Sequence, residues 1–308
     1  YKDGMAYYGE LKKQGQLIDL TMTEFAEAYR QGRPYTQAEC TLWKDILYGS
    51  KRQMFWYADP WMRFCLDMNQ GGAMVDLRPY AAKLVRPCGV GTKANQDASY
   101  PFLVQSLYRS GFFTHYAGEG AVKSCKVGLG SEQVDLCACR TLASYSSEGE
   151  THVVTLDPVT IEFEKVSIKL QSIFRLKEGS GEVEIIRRVL ESSDPEAEFV
   201  LDEYITACYG TTEYPEDLTG MQLTLKGRQA EDSISYAYQC REAEMADVQT
   251  VKALVPQVNT LLEMREAGQA IGYYREGFSF SPMYTIGIKK SVQAKGELHT
   301  WLKVAKAS

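Results

Sequence analysis

The chain has 308 residues, 44% of them apolar and 24% charged, a balance that excludes a disordered chain and suits either two average domains or one large β-sandwich. Its 34 Lys and Arg against 40 Asp and Glu give a net charge of −6, which removes the electrostatic case for binding nucleic acid or an anionic membrane surface. No run approaches the roughly 20 apolar residues that span a bilayer, and Tyr1-Lys2-Asp3-Gly4 has neither region of a signal peptide, so a cytoplasmic protein without membrane segments is expected.

Two helices are predicted first. Thr21-x-x-Glu24 and Thr36-x-x-Glu39 are capping-box patterns ahead of helix-compatible runs, the first stopped by Gly32 and Pro34, the second by Gly49. Phe25 and Tyr29 in the first, and Leu42, Ile46 and Leu47 in the second, give each an apolar face. Residues 1–50 are therefore expected to form a short helical segment packed on a sandwich domain spanning 51–308.

From Gln53 the pattern becomes one of successive strands, short apolar or aromatic runs broken by Gly, Pro, Asn and Asp. Runs at 54–57 and 63–68 flank a turn at Ala58-Asp59-Pro60. Residues 86–100 read as a long polar loop containing Lys93, Asn95 and Asp97, of a length that is commonly functional. Val159, Ile161 and Phe163, then Val166, Ile168 and Leu170, alternate with polar residues, and a hairpin turn at 177–182 leads into a strand at 183–190. Runs at 199–209, 221–225, 234–240, 284–288 and 298–304 continue the series, and only 243–266 is compatible with another helix, interrupted by Pro256. Strands in series without regular strand–helix alternation predict a mainly β protein, a large antiparallel β-sandwich with a short helical N-terminal segment.

The eight cysteines, Cys40, Cys65, Cys88, Cys125, Cys137, Cys139, Cys208 and Cys240, include several inside apolar runs, as in Phe64-Cys65-Leu66, so buried reduced thiols are expected. Cys137-x-Cys139 has the wrong spacing for a zinc knuckle or a thioredoxin-like site, and on a strand both side chains point to one face as packing. Gly89-Val90-Gly91-Thr92-Lys93 is too short for a phosphate loop, and Gly128-Leu129-Gly130-Ser131 lacks the spacing of a nucleophile elbow. No cofactor and no metal are expected.

The run Glu184-Ile185-Ile186-Arg187-Arg188-Val189-Leu190-Glu191-Ser192-Ser193-Asp194-Pro195, followed by Phe199-Val200-Leu201-Asp202-Glu203-Tyr204, resembles a central hairpin of galactose-mutarotase-like (aldose 1-epimerase-like) proteins. Tyr284 to Ile288, then Gly296-Glu297-Leu298-His299-Thr300-Trp301-Leu302, is similar to that family's closing strands. The resemblance covers about the last half of the chain. It implies a many-stranded supersandwich, a sugar or glycoside as ligand, and a strand at 202–204 that reaches the sugar pocket. Epimerases of this type carry a His on that strand and a Glu near the C-terminal strands, whereas residues 202–209 hold no His and Gly287-Ile288-Lys289-Lys290 holds no acid. Related sandwich domains also occur in polysaccharide lyases and as non-catalytic parts of glycoside phosphorylases.

Three groups of residues are candidates for chemistry. His115, Tyr116 and Glu119 lie between Gly111 and Gly120 and combine a base, a phenol and a carboxylate; on an extended segment His115 and Glu119 share a face, roughly 13 Å apart, and a turn at Gly118 brings them closer. Asp76, Arg78 and Tyr80 share a face of a strand and suit forked hydrogen bonds and stacking on a sugar, with Lys93 in the adjoining loop, while the simpler reading is a salt-bridged strand end. Asp202 and Tyr204 share the opposite face from Glu203. His152 and His299 read as surface or sheet residues, and the aromatics Trp56, Tyr57, Trp61, Tyr100, Tyr108, Tyr273 and Tyr274 as core packing or sugar-stacking groups.

Two functions follow. The first is proton-transfer chemistry on a sugar, by an isomerase or lyase without a redox cofactor; the second is a non-catalytic carbohydrate-binding or scaffolding sandwich that docks a partner subunit or a second copy.

Overall fold

In a computed structural model of the chain the described residues are 2–32, 37–46, 49, 51–79, 123–208, 220–237, 239–256, 260–266, 268–278 and 282–306. The chain divides into two units, residues 1–37 and 38–308.

The first unit holds α1 (Lys2–Lys13) and α2 (Met22–Gly32). The predicted capping box starts α2: the Glu24 N–H donates to Thr21 Oγ1 at 3.2 Å, and Glu24 Oε2 accepts from the Thr21 N–H and hydroxyl at 2.7 and 2.8 Å. Helix α1 was not foreseen, because Gly4 and Gly9 within it lower its intrinsic propensity. No helix among the described residues is long and apolar enough to cross a membrane.

The second unit is built of strands. In chain order they are β1 (Glu39–Lys44), β2 (Gln53–Ala58), β3 (Met62–Asp67), β4 (Ala73–Pro79), β5 (Lys123–Leu129), β6 (Glu132–Asp135), β7 (Ala143–Glu148), β8 (Thr151–Leu156), β9 (Val159–Glu162) and β10 (Ser167–Lys177). There follow β11 (Glu182–Ser192), β12 (Phe199–Cys208), β13 (Gln222–Gly227), β14 (Glu231–Ser235), β15 (Glu242–Ala246), β16 (Val248–Val255), β17 (Thr260–Glu266), β18 (Ile271–Phe278), β19 (Pro282–Val292) and β20 (Glu297–Ala305). The first sheet runs β1-β2-β3-β4-β5-β12-β19-β18-β15, with β6 on β5; the second runs β14-β13-β16-β17-β20-β11-β10-β8-β7, with β9 on β10. Every pairing between described strands is antiparallel, as in β10 with β11 and β12 with β19.

Period-two burial decides which side of each strand faces in. Ile168, Leu170, Phe174 and Leu176 of β10, Leu298, Leu302 and Val304 of β20, and Phe199, Leu201 and Ile205 of β12 belong to one apolar core shared by both sheets. That leaves Asp202, Tyr204 and Thr206 on the outer face of the first sheet. Two inward positions break the apolar rule together: Arg187 on β11 and Glu203 on β12. Arg187 Nε and Nη2 donate to Glu203 Oε2 and Oε1 at 2.8 and 3.1 Å, and Nη1 donates to Ser172 Oγ at 2.7 Å, so the interior charge pair joins the sheets across the core.

Three expectations are corrected. The helix expected after Thr36 is strand β1, because Cys40 and Leu42 pair opposite Tyr57 and Phe55 and pack on the core, and sheet pairing outweighs a local capping pattern. The stretch 243–266 is β15, β16 and β17, whose apolar residues recur every second position, as in Val251, Ala253 and Val255; Pro256 follows the end of β16. Cys137 lies in a one-turn 3-10 helix, Leu136–Ala138, so it and Cys139 do not share a strand face: Cys137 packs beside Cys65 on the outer side and Cys139 against the core. The described thiols Cys40, Cys65, Cys125, Cys137, Cys139 and Cys240 are all reduced, although Cys240 is exposed rather than buried. The predicted turn after β2 is fixed by Asp59, which accepts from the Trp61 and Met62 N–H groups and from the Tyr57 hydroxyl at 2.7–2.8 Å.

Candidate functional site

On the outer face of the first sheet, the register sets Asp202 beside Lys126 of β5 and Lys289 of β19, and Tyr204 beside Ser124 and Gly287. Gly287 is also the partner of Tyr273 on β18. Lacking a side chain, Gly287 lets the Tyr273 ring lie across β19, and the hydroxyl donates to Asp202 Oδ1 at 2.9 Å. Lys289 Nζ lies 4.6 Å from the centre of that ring and 2.7 Å from Glu244 Oε1. The Tyr204 hydroxyl donates to Asp135 Oδ2 at 2.7 Å, with Lys126 Nζ 5.1 Å above the Tyr204 ring. Asp135, at the end of β6, is itself held by the Cys137 N–H at 2.9 Å. Two Tyr–carboxylate pairs flanked by two lysines thus converge around β12.

Burial sets the electrostatics. Asp202 is 6% exposed, and desolvation raises its pKa above the ordinary aspartate value, with the Tyr273 hydroxyl, Lys289 and Lys126 partly opposing the rise. Burial, reinforced by their carboxylate partners, raises the Tyr204 and Tyr273 phenols as well, so both stay protonated. The Cys137 thiol is pushed up to about 11, chiefly by burial, and is a neutral neighbour rather than a thiolate.

The raised Asp202 has a consequence for stability. Between the ordinary value of 3.8 and the raised native one, the folded chain keeps a proton that the unfolded chain has lost, so stability falls as pH rises through that window. Asp202→Asn removes the effect, and its urea-unfolding free energy is expected to gain on the wild type as pH rises above the ordinary aspartate value of 3.8, until the native carboxyl has ionised. A difference that does not change with pH would contradict this. A second expected result concerns Gly287→Ala, whose Cβ falls inside the contact distance of Tyr273 Cζ and Cε1. It is expected to displace the ring from Asp202 and cost about 1–3 kcal/mol. Combining it with Tyr273→Ala should recover part of that loss in a double-mutant cycle, and strict additivity would remove the steric explanation.

Asp76 lies on the same outer face, on β4, which β5 separates from β12; its Oδ2 pairs with Arg63 Nη2 at 2.8 Å, and Arg63 in turn lies 5.6 Å from the centre of the Trp56 ring. The backbone of Arg78 is opposite Arg63 in the β3–β4 register. Tyr80, Lys93, His115, Tyr116 and Glu119 lie outside the described residues. The other two histidines are elsewhere. His152 is buried in the second sheet between the Tyr145 hydroxyl at 2.8 Å and Glu178 at 2.7 Å, and His299 pairs with Glu184 on that sheet's outer face. The sequence reading missed Lys126, Asp135 and the role of Gly287; the alternation in Lys126-Val127 and Gln133-Val134-Asp135 was the available signal.

No protein-family model and no curated protein sequence matches the chain. Solved structures do. A galactose mutarotase-like protein from Clostridium acetobutylicum superposes with a TM-score of 0.52 at 8% identity, over 87% of this chain and 98% of its own. A protein provisionally assigned as an aldose 1-epimerase, from Klebsiella pneumoniae, gives 0.51 at 9% identity, over 88% of this chain and 84% of its own. The 4-alpha-glucanotransferase of Thermococcus litoralis gives 0.50 at 9% identity over 88% of this chain, which spans only 40% of that enzyme's length. At such identities the likeness is one of architecture, and the architecture of this chain is the galactose-mutarotase-like sandwich.

Proposed function

We propose that the outer face of the first sheet binds a sugar and moves protons on it, with Asp202 as the base and the Tyr204 hydroxyl as the acid. The observation that carries this reading is their placement two residues apart on β12, on one face, with Asp202 raised toward the working range of a base and Tyr204 kept protonated. Residues so spaced on a strand stand roughly 7 Å apart, a span that suits two neighbouring oxygens of a pyranose with their protons in flight. In ring opening, Asp202 takes the proton of the anomeric hydroxyl, the bond from the anomeric carbon to the ring oxygen breaks, and Tyr204 protonates that oxygen. Lys126 over the phenol ring offsets the charge left on Tyr204; the freed aldehyde turns about its bond to the next carbon, and reclosure by the reverse proton transfers then gives the other anomer. Asp76, Arg78, Tyr80 and Lys93 are proposed to bind substrate, and His115, Tyr116 and Glu119 to supply further acid–base groups.

The test is exchange spectroscopy of a panel of free aldoses, in which catalysed interconversion of anomers is expected with the wild type and lost with Asp202→Asn. The near-complete burial of Asp202, Tyr204 and Tyr273, each already hydrogen-bonded, favours a second reading, a non-catalytic carbohydrate-binding or scaffolding sandwich. Sugar binding without catalysed exchange would select it.

A further inference from the structure

The strand register sets a row of alternating charges across the outer face of the first sheet. Asp135 of β6 stands opposite Lys126 of β5, Lys126 opposite Asp202 of β12, and Asp202 opposite Lys289 of β19. Side chains directly opposite on neighbouring strands have Cβ atoms about 5 Å apart, so each charge in the row acts on the next.

The cations around Asp202 are not equivalent. Lys289 pairs with Glu244 at 2.7 Å and lies over the Tyr273 ring, and Arg275, also over that ring, pairs with Glu242 at 3.0 Å. Lys126 is half-buried, takes part in no direct ion pair among the described residues, and lies 5.1 Å from the centre of the Tyr204 ring. Asp135, its other neighbour, is occupied by the Tyr204 hydroxyl and the Cys137 N–H. Among the described cations, Lys126 is thus the one that flanks Asp202 on one side and Tyr204 on the other. Burial raises the Asp202 pKa, and the Tyr273 hydroxyl, Lys289, Lys126 and Arg275 oppose the rise.

The proton transfers proposed for this face move one negative charge. Before ring opening it lies on Asp202; afterwards Asp202 holds the proton of the anomeric hydroxyl and the Tyr204 phenolate holds the charge. That phenolate forms 2.7 Å from the Asp135 carboxylate, which opposes it. An ammonium beside both positions keeps the charge paired throughout and offsets the repulsion. On the basis of that reading, we propose that Lys126 is a positioning residue of the site, the shared counter-charge across which the negative charge passes from Asp202 to Tyr204 and back. Its charge, and not its packing on the phenol, is what the site requires.

The test is carboxyl-carbon NMR titration of Asp202, its resonance assigned by loss in Asp202→Asn, together with the pH profile of anomer exchange. Lys126→Met is expected to move the Asp202 midpoint to higher pH, and the acid limb of the rate with it, and to lower the plateau above that limb by about tenfold or more. Lys126→Gln repeats this pattern, which separates lost charge from altered packing, and Lys126→Arg restores the wild-type midpoint and plateau. Lys289→Met moves the midpoint in the same direction and leaves the plateau at the wild-type level, because Lys289 does not flank Tyr204. An Asp202 midpoint unmoved in Lys126→Met and Lys126→Gln, an equal fall of the plateau in Lys289→Met, or no recovery in Lys126→Arg overturns the proposal. A wild type that exchanges no anomers sinks the catalytic reading instead, and the Asp202 titration then still decides whether Lys126 supplies the counter-charge.

Discussion

Glu203→Ala is expected to destabilise the sandwich by about 3–5 kcal/mol, read as a lowered urea midpoint at an unchanged slope. Glu203 is 0% exposed and Arg187 1%, and Arg187 is the largest fully buried side chain of the described core. Burial pulls the guanidinium below its usual range, yet an Arg in a protein keeps its charge, so truncating the partner strands a cation between two apolar sheets. Ser172 and the Phe174 ring, 5.0 Å from the guanidinium carbon, cannot neutralise it. The same physics predicts an asymmetry. Replacing both members, Arg187→Met with Glu203→Leu, is expected to recover most of the loss, because apolar substitutes of similar volume avoid the desolvation cost of the pair. Equal damage from the single and double variants would show that the pair is needed for more than its charge balance. Glu203 sits between Asp202 and Tyr204 on β12, so a pair that pins this strand to β11 also fixes the height of the outer face.

The architecture was legible because alternation is a local signal. Ile168 to Leu176 and Leu298 to Val304 state their period within one strand, and the strand run following the 177–182 turn could be read without knowing its neighbours. Capping patterns were less secure: Thr21-x-x-Glu24 opens a real helix, while Thr36-x-x-Glu39 runs into an edge strand whose apolar residues find partners on β2. Glu203 defeated the reading for a related reason, since a charged residue at an inward position is interpretable only once Arg187, across the core, is known to meet it. The candidate site was half legible. Asp202 and Tyr204 follow from strand parity, but the Asp202–Tyr273 and Tyr204–Asp135 bonds join residues about 70 positions apart, which only sheet order brings together. The reach of Tyr273 over Gly287 to Asp202, two strands away, depends on an absent side chain on the strand between, and sequence spacing carries no trace of that.

Asp202→Asn is expected to lower catalysed anomer exchange by about 10²–10⁴-fold, the usual range for removal of a positioned acid or base. The amide keeps the size of the side chain and still offers an oxygen to the Tyr273 hydroxyl, so the variant removes proton affinity while leaving the packing of β12, β19 and β18 in place. That separates it from Gly287→Ala, where the ring itself is moved. The pH profile adds a readout that a structural role would not move: the wild-type rate should rise with the ionisation of Asp202, at a pH above the ordinary aspartate range because burial disfavours the charged form. Tyr204→Phe is expected to fall by a similar factor and to keep that acid limb, since it deletes the donor and leaves the base. If Asp202→Asn retained full exchange activity with wild-type pH dependence, the base would have to lie elsewhere, and the Tyr273–Asp202 bond would be reduced to a clasp between neighbouring strands.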